Sequence, residues 1–154
     1  MQEITREQAK EAVLQAAQST LGEMAFIDVI EAETSQSFEA GQLMFIEFYK
    51  PVRGRLLLAM PAEIKQAIVE NIHATDWDEL SVSEIDDCLL ELLNVLGGNL
   101  LRELEGGETK VQLSFPSVLF SLEEIPDLDS FWQFDFDAEG TPFTVSLALH
   151  EEGE

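Results

Sequence analysis

The chain has 154 residues, of which 45% are hydrophobic, and this length and content suffice for a single domain with its own core. Its 31 Asp and Glu residues outnumber 8 Lys and Arg residues, so the net charge is -23 and the isoelectric point is near 4.1. Nucleic acids and anionic membrane surfaces are therefore excluded as expected partners, because both repel an acidic protein. Cys88 is the single cysteine, which excludes an internal disulfide. We find no signal segment or membrane-spanning run, and we expect a cytoplasmic protein.

The first half of the chain predicts one helix followed by three strands. Thr5-Arg-Glu-Gln8 has the form of a capping box, and an apolar helical face continues to Leu21, before Gly22. Strand patterns follow at residues 26–33, 43–49 and 55–60. A short helix at residues 62–73 is then predicted to link the two halves.

The second half predicts the same order of elements. Ser81-Val-Ser-Glu84 is another capping-box pattern, at the start of a long helix that we expect to end at the glycines 106 and 107. A strand at 110–115, closed by Pro116, and two alternating segments at 132–136 and 143–149 complete this half.

The repeated order predicts two related halves, at about residues 5–60 and 83–149, within one domain of residues 1–154. The expected fold is a layered α/β (α+β) structure, with a six-stranded, largely antiparallel sheet and long helices packed on it. In this repeat Ala16 and Ser19 occupy the places of Glu91 and Asn94. Only the second half would therefore carry a site.

The predicted long helix has one narrow polar stripe. At about 100° per residue, Asp87, Glu91, Asn94 and Gly98 share one side, opposite a core face of Ile85, Leu89, Leu93, Leu96 and Leu100. Asn and Gly cost about 0.5 and about 1 kcal/mol relative to Ala inside a helix. Two explanations are open: a solvated face with glycines that permit close packing, or a face that meets a partner.

Other motifs do not predict a metal or cofactor site. Asp135-Phe-Asp-Ala-Glu-Gly140 matches the first half of a calcium loop, but Ser146 stands where a bidentate Glu is needed. His73 and His150 are the only histidines, which is too few for zinc or for a Cys-His nucleophile pair. We therefore expect no metal and no cofactor of the chain's own.

The stripe resembles the signature of the bacterial chemotaxis phosphatases of the CheC, CheX and FliY family. That signature is Asp or Ser, three residues, Glu, two residues, Asn, on a long helix, with a Pro a little over twenty residues later. Here these residues are Asp87, Glu91, Asn94 and Pro116. The order of helices and strands agrees over roughly residues 10 to 149, and one site instead of two resembles CheX more than CheC.

The resemblance implies hydrolysis of the aspartyl phosphate on a response-regulator receiver such as CheY. Asn94 and Glu91 would be the catalytic residues: the amide would orient a water in line with the phosphorus, and the carboxylate would pair with the receiver's active-site Lys. Asp87, Glu91 and Gly98 would bind the partner, with Gly98 leaving room for a receiver loop. Magnesium would come with the receiver, and a homodimer is expected.

Two alternatives are kept beside the phosphatase. One is a catalytically weak adaptor of the same fold that binds a receiver or a flagellar-switch protein; the pair Glu91 and Asn94 speaks against it, because an adaptor has no need of that amide. The other is an acidic ligand-binding domain unrelated to signalling. A deep apolar pocket away from the long helix would favour it.

Overall fold

The structure is a computed structural model, and it describes residues 3–106 and 110–150. Within these ranges there are three α-helices: α1 (Arg6–Ala25), α2 (Ala62–His73) and α3 (Val82–Glu105). The strands are β1 (Val29–Glu31), β2 (Gln42–Lys50), β3 (Arg53–Met60), β4 (Gln112–Leu113), β5 (Ser117–Leu119), β6 (Trp132–Ala138) and β7 (Thr141–His150). Short 3-10 turns lie at Trp77–Glu79, Leu122–Glu124 and Leu128–Ser130.

All strand pairs are antiparallel and belong to one sheet, in the order β1-β6-β7-β3-β2-β4, with β5 also beside β2. This confirms the predicted layered α/β fold with helices packed on a largely antiparallel sheet. The sheet has seven strands instead of six, because the strand predicted at 110–115 is two short pieces on the same edge of β2. Pro116 lies between the pieces, and proline cannot donate a ladder hydrogen bond.

The strand order is the same from either edge of the sheet when the strands of the two halves of the chain are exchanged. Each half of the chain supplies a central hairpin, β2 with β3 or β6 with β7, and its first strand crosses to the edge beside the other half's hairpin. This arrangement agrees with the repeat that the order of elements suggests. The two long helices are its other equivalent elements.

The first helix is longer than predicted. It does not end at Gly22 but continues to Ala25, and Phe26 then takes the left-handed conformation with φ 58°. A glycine inside a helix costs only about 1 kcal/mol, which the burial of Leu21 and Ala25 offsets. As a result the first strand starts at Val29, and the extended segment predicted at 26–33 shortens to three residues.

Helices α1 and α3 pack against each other on one face of the sheet. The buried side of α1 consists mostly of alanines, which allow a close approach of α3. Asn99 Nδ2 donates a hydrogen bond of 2.9 Å to Thr20 Oγ1, which is 1% exposed, across this interface. The two helices and the sheet together bury one continuous apolar core. In the described part of the chain, no helix is long and apolar enough to cross a membrane.

The opposite face of the sheet is covered by the segment Phe120–Phe131, which we call the back loop. Ile125 and Phe131 are buried there against Leu57 and Ala148, in a second, smaller apolar cluster. The back loop therefore does not cover the outward side of α3, which lies on the other face of the molecule.

Candidate functional site

The long helix α3 is capped at both ends. Ser81 Oγ accepts from the backbone N–H of Glu84 at 3.1 Å, and Glu84 Oε1 accepts from the backbone N–H of Ser81 at 3.0 Å, which confirms the predicted capping box. The hydrogen bonds with Ser81 hold the pKa of the Glu84 carboxyl below its usual range. Gly106 closes the helix with φ 84°, and Gly107 lies outside the described residues.

The inward side of α3 is the predicted core face. Leu89 and Leu93 are 0% exposed and Leu96 is 5% exposed, so this face is fixed against the sheet and α1. Burial of each such side chain contributes about 1.5 to 3 kcal/mol. The packing therefore determines which side of the helix faces outward.

The outward side carries the predicted stripe. Asp87 and Glu91 are exposed, Asn94 is half-buried and Gly98 is buried. Consecutive members of the stripe are three or four residues apart, so neighbours lie about 4.5 to 6 Å apart along the helix axis. The position of Asn94 on the polar side of the helix predicts an exposed amide, whereas the structure leaves this residue partly buried and still accessible from outside.

The polar side chains of the stripe make no hydrogen bond to another residue in the part of the chain that the structure describes. Within residues 3–106 and 110–150, the side-chain hydrogen bonds of α3 are those of the capping box and of Asn99. Asp87 and Glu91, four residues apart on one face, repel each other by a few tenths of a kcal/mol. A cation brought by a partner would relieve this repulsion, and the Asn94 amide keeps its donor and its acceptor for an outside group.

Neither of the two glycines of α3 is in close contact with the backbone of another described element. A Cβ added at Gly97 would meet Leu113 and Ile46 at 3.6 to 3.8 Å, which is ordinary packing distance. A Cβ added at Gly98 would lie 3.2 Å from Nη1 of Arg102. Close packing against another element therefore does not explain why glycine occurs here.

Arg102 belongs to the same stripe, although it was not among the predicted residues. It follows Gly98 by four residues and is exposed. Helical spacing in the sequence was the signal that could have found it.

The other long helix carries no comparable stripe at the positions equivalent by the predicted repeat. Ala16 is 1% exposed and belongs to the core, and Ser19 is half-buried on α1. The pair of Glu91 and Asn94 thus has no counterpart at the equivalent positions of α1.

Cys88 lies next to Asp87 but on the buried side of the helix, at 8% exposure. Burial raises the pKa of its thiol, which disfavours the thiolate that a nucleophile needs. Among the described residues no group of three His, Cys, Asp or Glu side chains is placed to hold a metal ion.

The cavities do not favour an organic ligand. An open groove of about 520 Å³ between the start of α1 and the end of α3 is lined by four glutamates, Glu3, Glu11, Glu103 and Glu105. The apolar cavity under α3, lined by Leu92, Leu96 and Phe143 among others, holds only about 10 Å³. That volume is about the minimum for one water molecule.

Comparison with solved structures places the fold among chemotaxis proteins of the CheC and CheX type. The chain is similar to a chemotaxis protein CheX from Desulfovibrio desulfuricans, with 16% identity, coverage of 92% of this chain and 99% of that chain, and a TM-score of 0.70. It is similar to CheX from Vibrio vulnificus, with 13% identity, coverage of 97% and 100%, and a TM-score of 0.71. CheX in a complex with CheY, BeF3 and Mg from Borrelia burgdorferi matches with 17% identity, coverage of 97% and 100%, and a TM-score of 0.69.

The sequence itself gives the family. Residues 43–130 match the family model of the chemotaxis phosphatase CheX. The chain therefore belongs to the CheX family of chemotaxis phosphatases, as the resemblance of its helical stripe indicated. No curated protein matches the chain significantly.

Proposed function

We propose that this chain hydrolyses the aspartyl phosphate of a CheY-like response-regulator receiver. The observation that carries the proposal is the pair Glu91 and Asn94. These side chains lie one turn apart on the outward side of a helix whose opposite face is locked in the core, and they make no bonds to other described residues. Membership in a family of chemotaxis phosphatases supports the reaction class.

Asn94 is the proposed catalytic residue that orients water. Phosphoryl transfer depends mostly on position and on electrostatic stabilisation, and an amide can accept from and donate to one water. The Asn94 amide is half-buried and makes no side-chain hydrogen bond to a described residue, so its donor and its acceptor are available to such a water. Water held by it would attack the phosphorus in line with the leaving aspartate oxygen.

Glu91 is proposed to dock the receiver by pairing with its active-site Lys. The carboxylate is exposed and already repelled by Asp87, so a cation is attracted to both groups. Asp87 then contributes to the same contact from one turn away, and Gly98, which is buried beside the Arg102 guanidinium, continues the stripe on the other side of Asn94. Glu91 acts beside the reacting group, which is why we count it with Asn94 as catalytic.

We propose that the receiver carries the magnesium ion to this site. The Borrelia burgdorferi structure is named as a complex of CheX, CheY, BeF3 and Mg, which supports a receiver with its own ion as the partner. The carboxylates of the stripe itself are Asp87 and Glu91, which are exposed on one line of α3, and two carboxylates are too few for a Mg²⁺ site without further ligands.

The chemical role is tested by Asn94→Ala. We expect kcat to fall by about 10² or more, while the affinity for a receiver loaded with Mg²⁺ and beryllofluoride stays nearly unchanged, because the lost interaction occurs mainly in the transition state. Ser19→Ala, at the equivalent place on α1, is the matched control and should keep the wild-type rate. Wild-type turnover by Asn94→Ala at saturation would instead favour the adaptor.

The docking role is tested by Glu91→Lys. This change sets a cation against the receiver's Lys and should weaken binding by about tenfold or more. Glu103→Lys makes the same change of charge on the same helix, about 120° around its axis, and should bind like wild type. Equal affinities of the two variants would show that Glu91 does not contact the receiver.

We also propose that the chain forms a homodimer through the sheet edge formed by β4 and β5. Phe115 and Phe120 flank β5 and are 96% and 92% exposed, the two most exposed large apolar side chains in the described part of the chain. An open strand edge beside exposed aromatic rings is a surface that a second copy would cover.

A further inference from the structure

The stripe on α3 ends in a basic residue. Arg102 lies four residues after Gly98 and eleven after Glu91, and these spacings place it about 40° and about 20° from them around the helix. The other charged residues of α3 are six carboxylates, so Arg102 is the single cation on an acidic helix. A basic group in this position calls for an explanation.

The Arg102 side chain lies back along the stripe toward Asn94. Its guanidinium is over Gly98, where an added Cβ would be 3.2 Å from Nη1 and 3.9 Å from Cζ. Glycine therefore provides the surface on which the guanidinium rests. In this position the charge is one turn before its own Cα and away from the last carbonyls of α3, so interaction with the helix C-terminus does not account for it.

The guanidinium has no acidic partner in the described part of the chain. The salt bridges there are Lys10 with Glu31 and Arg55 with Asp127, and Arg102 is exposed. An arginine has five N–H donors in a planar fork that matches a carboxylate. The guanidinium lies beside Gly98 on an exposed residue, so these donors are at the surface that the receiver is proposed to cover.

The stripe therefore presents two opposite charges at a set separation. Glu91 and Gly98, over which the guanidinium lies, are seven residues apart, which is about 10 Å along the helix axis, and Asn94 lies between them. A receiver that places a cation on Glu91 and an anion on Arg102 can dock in only one direction along α3. A receiver with a basic residue at the second position would be repelled.

Resting on the proposed function, we propose that Arg102, seated on Gly98, binds an Asp or Glu side chain of the receiver and thereby selects among receivers. The carboxylate it recognises lies about 10 Å from the receiver Lys that binds Glu91. Asn94 keeps the chemical role, and Arg102 determines specificity and the direction of docking.

The test is a binding titration of CheY-like receivers from the same organism, each loaded with Mg²⁺ and beryllofluoride. Arg102→Glu should weaken binding by about tenfold or more, with kcat at saturation near the wild-type value. Lys65→Glu on α2 makes the same change of net charge and should weaken binding by no more than about twofold. The receiver residue proposed to bind Arg102 is then replaced by Lys. This receiver variant should bind the Arg102→Glu protein with restored affinity and the wild-type protein more weakly.

A second variant tests the seat of the guanidinium without changing charge. Gly98→Ala places a methyl group against Arg102 and adds a better helix former, so the protein stays folded while the guanidinium shifts. We expect weaker binding for Gly98→Ala in the wild-type background and no further loss in Arg102→Gln, because the two changes affect one interaction.

The outcomes separate this proposal from the function on which it rests. If the wild-type chain neither binds nor dephosphorylates any receiver, the proposed function and the role of Arg102 are both wrong. If it does both and Arg102→Glu binds like Lys65→Glu, the phosphatase assignment stands and the role of Arg102 is wrong. If Gly98→Ala weakens binding equally in the wild-type protein and in Arg102→Gln, Gly98 only makes room for the receiver. The proposed role of Gly98 as the surface under the guanidinium is then wrong.

Discussion

At the residue scale, Gly54 and Gly97 differ in how much space their surroundings leave for a side chain. A Cβ added at Gly54, in β3, would lie 2.4 Å from the carbonyl oxygen of Ala148 and 2.5 Å from the ring of Phe48. A Cβ added at Gly97, in α3, would meet only side chains at 3.6 Å or more. Glycine is thus required by packing at position 54 and is not required at position 97.

We expect Gly54→Ala to lower the free energy of unfolding by about 1 to 3 kcal/mol, because backbone and ring must both shift. Gly97→Ala should raise it by up to about 1 kcal/mol, because alanine is the better helix former and the space is free. Urea denaturation of both variants against wild type checks the pair. A stabilised Gly54→Ala protein would mean that β3 and β7 are not as close as described.

At the scale of elements, an ion pair between Arg55 and Asp127 joins the back loop to β3. Arg55 Nη1 donates to Asp127 Oδ1 at 2.8 Å and Nη2 donates to Oδ2 at 2.5 Å, while the guanidinium lies 4.8 Å from the ring centre of Phe131. The Arg55 hydrogen bonds lower the pKa of Asp127 from 3.8 to about 2. This contact ties the loop to β3 beside the apolar residues Ile125 and Phe131.

The contribution of Asp127 to stability should depend on pH. Because its pKa is lower in the folded chain than in the unfolded chain, the stabilisation is present above about pH 4 and is lost as the pH falls toward about 2. Asp127→Asn should therefore be less stable than wild type at pH 6, and the difference should shrink between about pH 4 and about pH 2.

Asp129→Asn is the matched control for this measurement, because Asp129 is exposed in the same loop and makes no side-chain hydrogen bond to a described residue. The measurement is the free energy of unfolding of wild type, Asp127→Asn and Asp129→Asn from pH 2 to pH 7. A difference between wild type and Asp127→Asn that does not change with pH would contradict the role of the ion pair.

At the scale of the whole molecule, the sheet has two open edges, β1 on one side and β4 with β5 on the other. Ile30 on β1 is 59% exposed, whereas Phe115 and Phe120 beside β5 are more exposed and larger. The edge of β4 and β5 thus has more apolar surface to hide, and a two-fold dimer would cover it with the same edge of a second copy.

We expect sedimentation at tens of micromolar to give twice the chain mass of 17.2 kDa, with the double variant Phe115→Ser and Phe120→Ser sedimenting as a monomer. Ile30→Ser, on the other edge, should remain a dimer. A wild-type monomer at the highest concentrations would remove the dimer from the proposal, and dissociation by Ile30→Ser alone would move the interface to β1.

The sequence alone determined most of what depends on neighbours along the chain. Both capping boxes, the bounds of α2, the core face of α3 and the polar stripe with Asp87, Glu91, Asn94 and Gly98 follow from helical periodicity and local hydrogen bonds. The family also followed from this stripe and the order of elements, and the family model confirms it. The roles of the stripe residues remain proposals.

Only the tertiary structure decided what depends on contacts between distant segments. The length of α1 past Gly22, the split edge strand around Pro116 and the packing of the back loop on the sheet arise because burial outweighs local propensity. The seat of Arg102 on Gly98 also needed coordinates: spacing places the two residues on one side, but only the observed direction of the guanidinium shows where the charge lies.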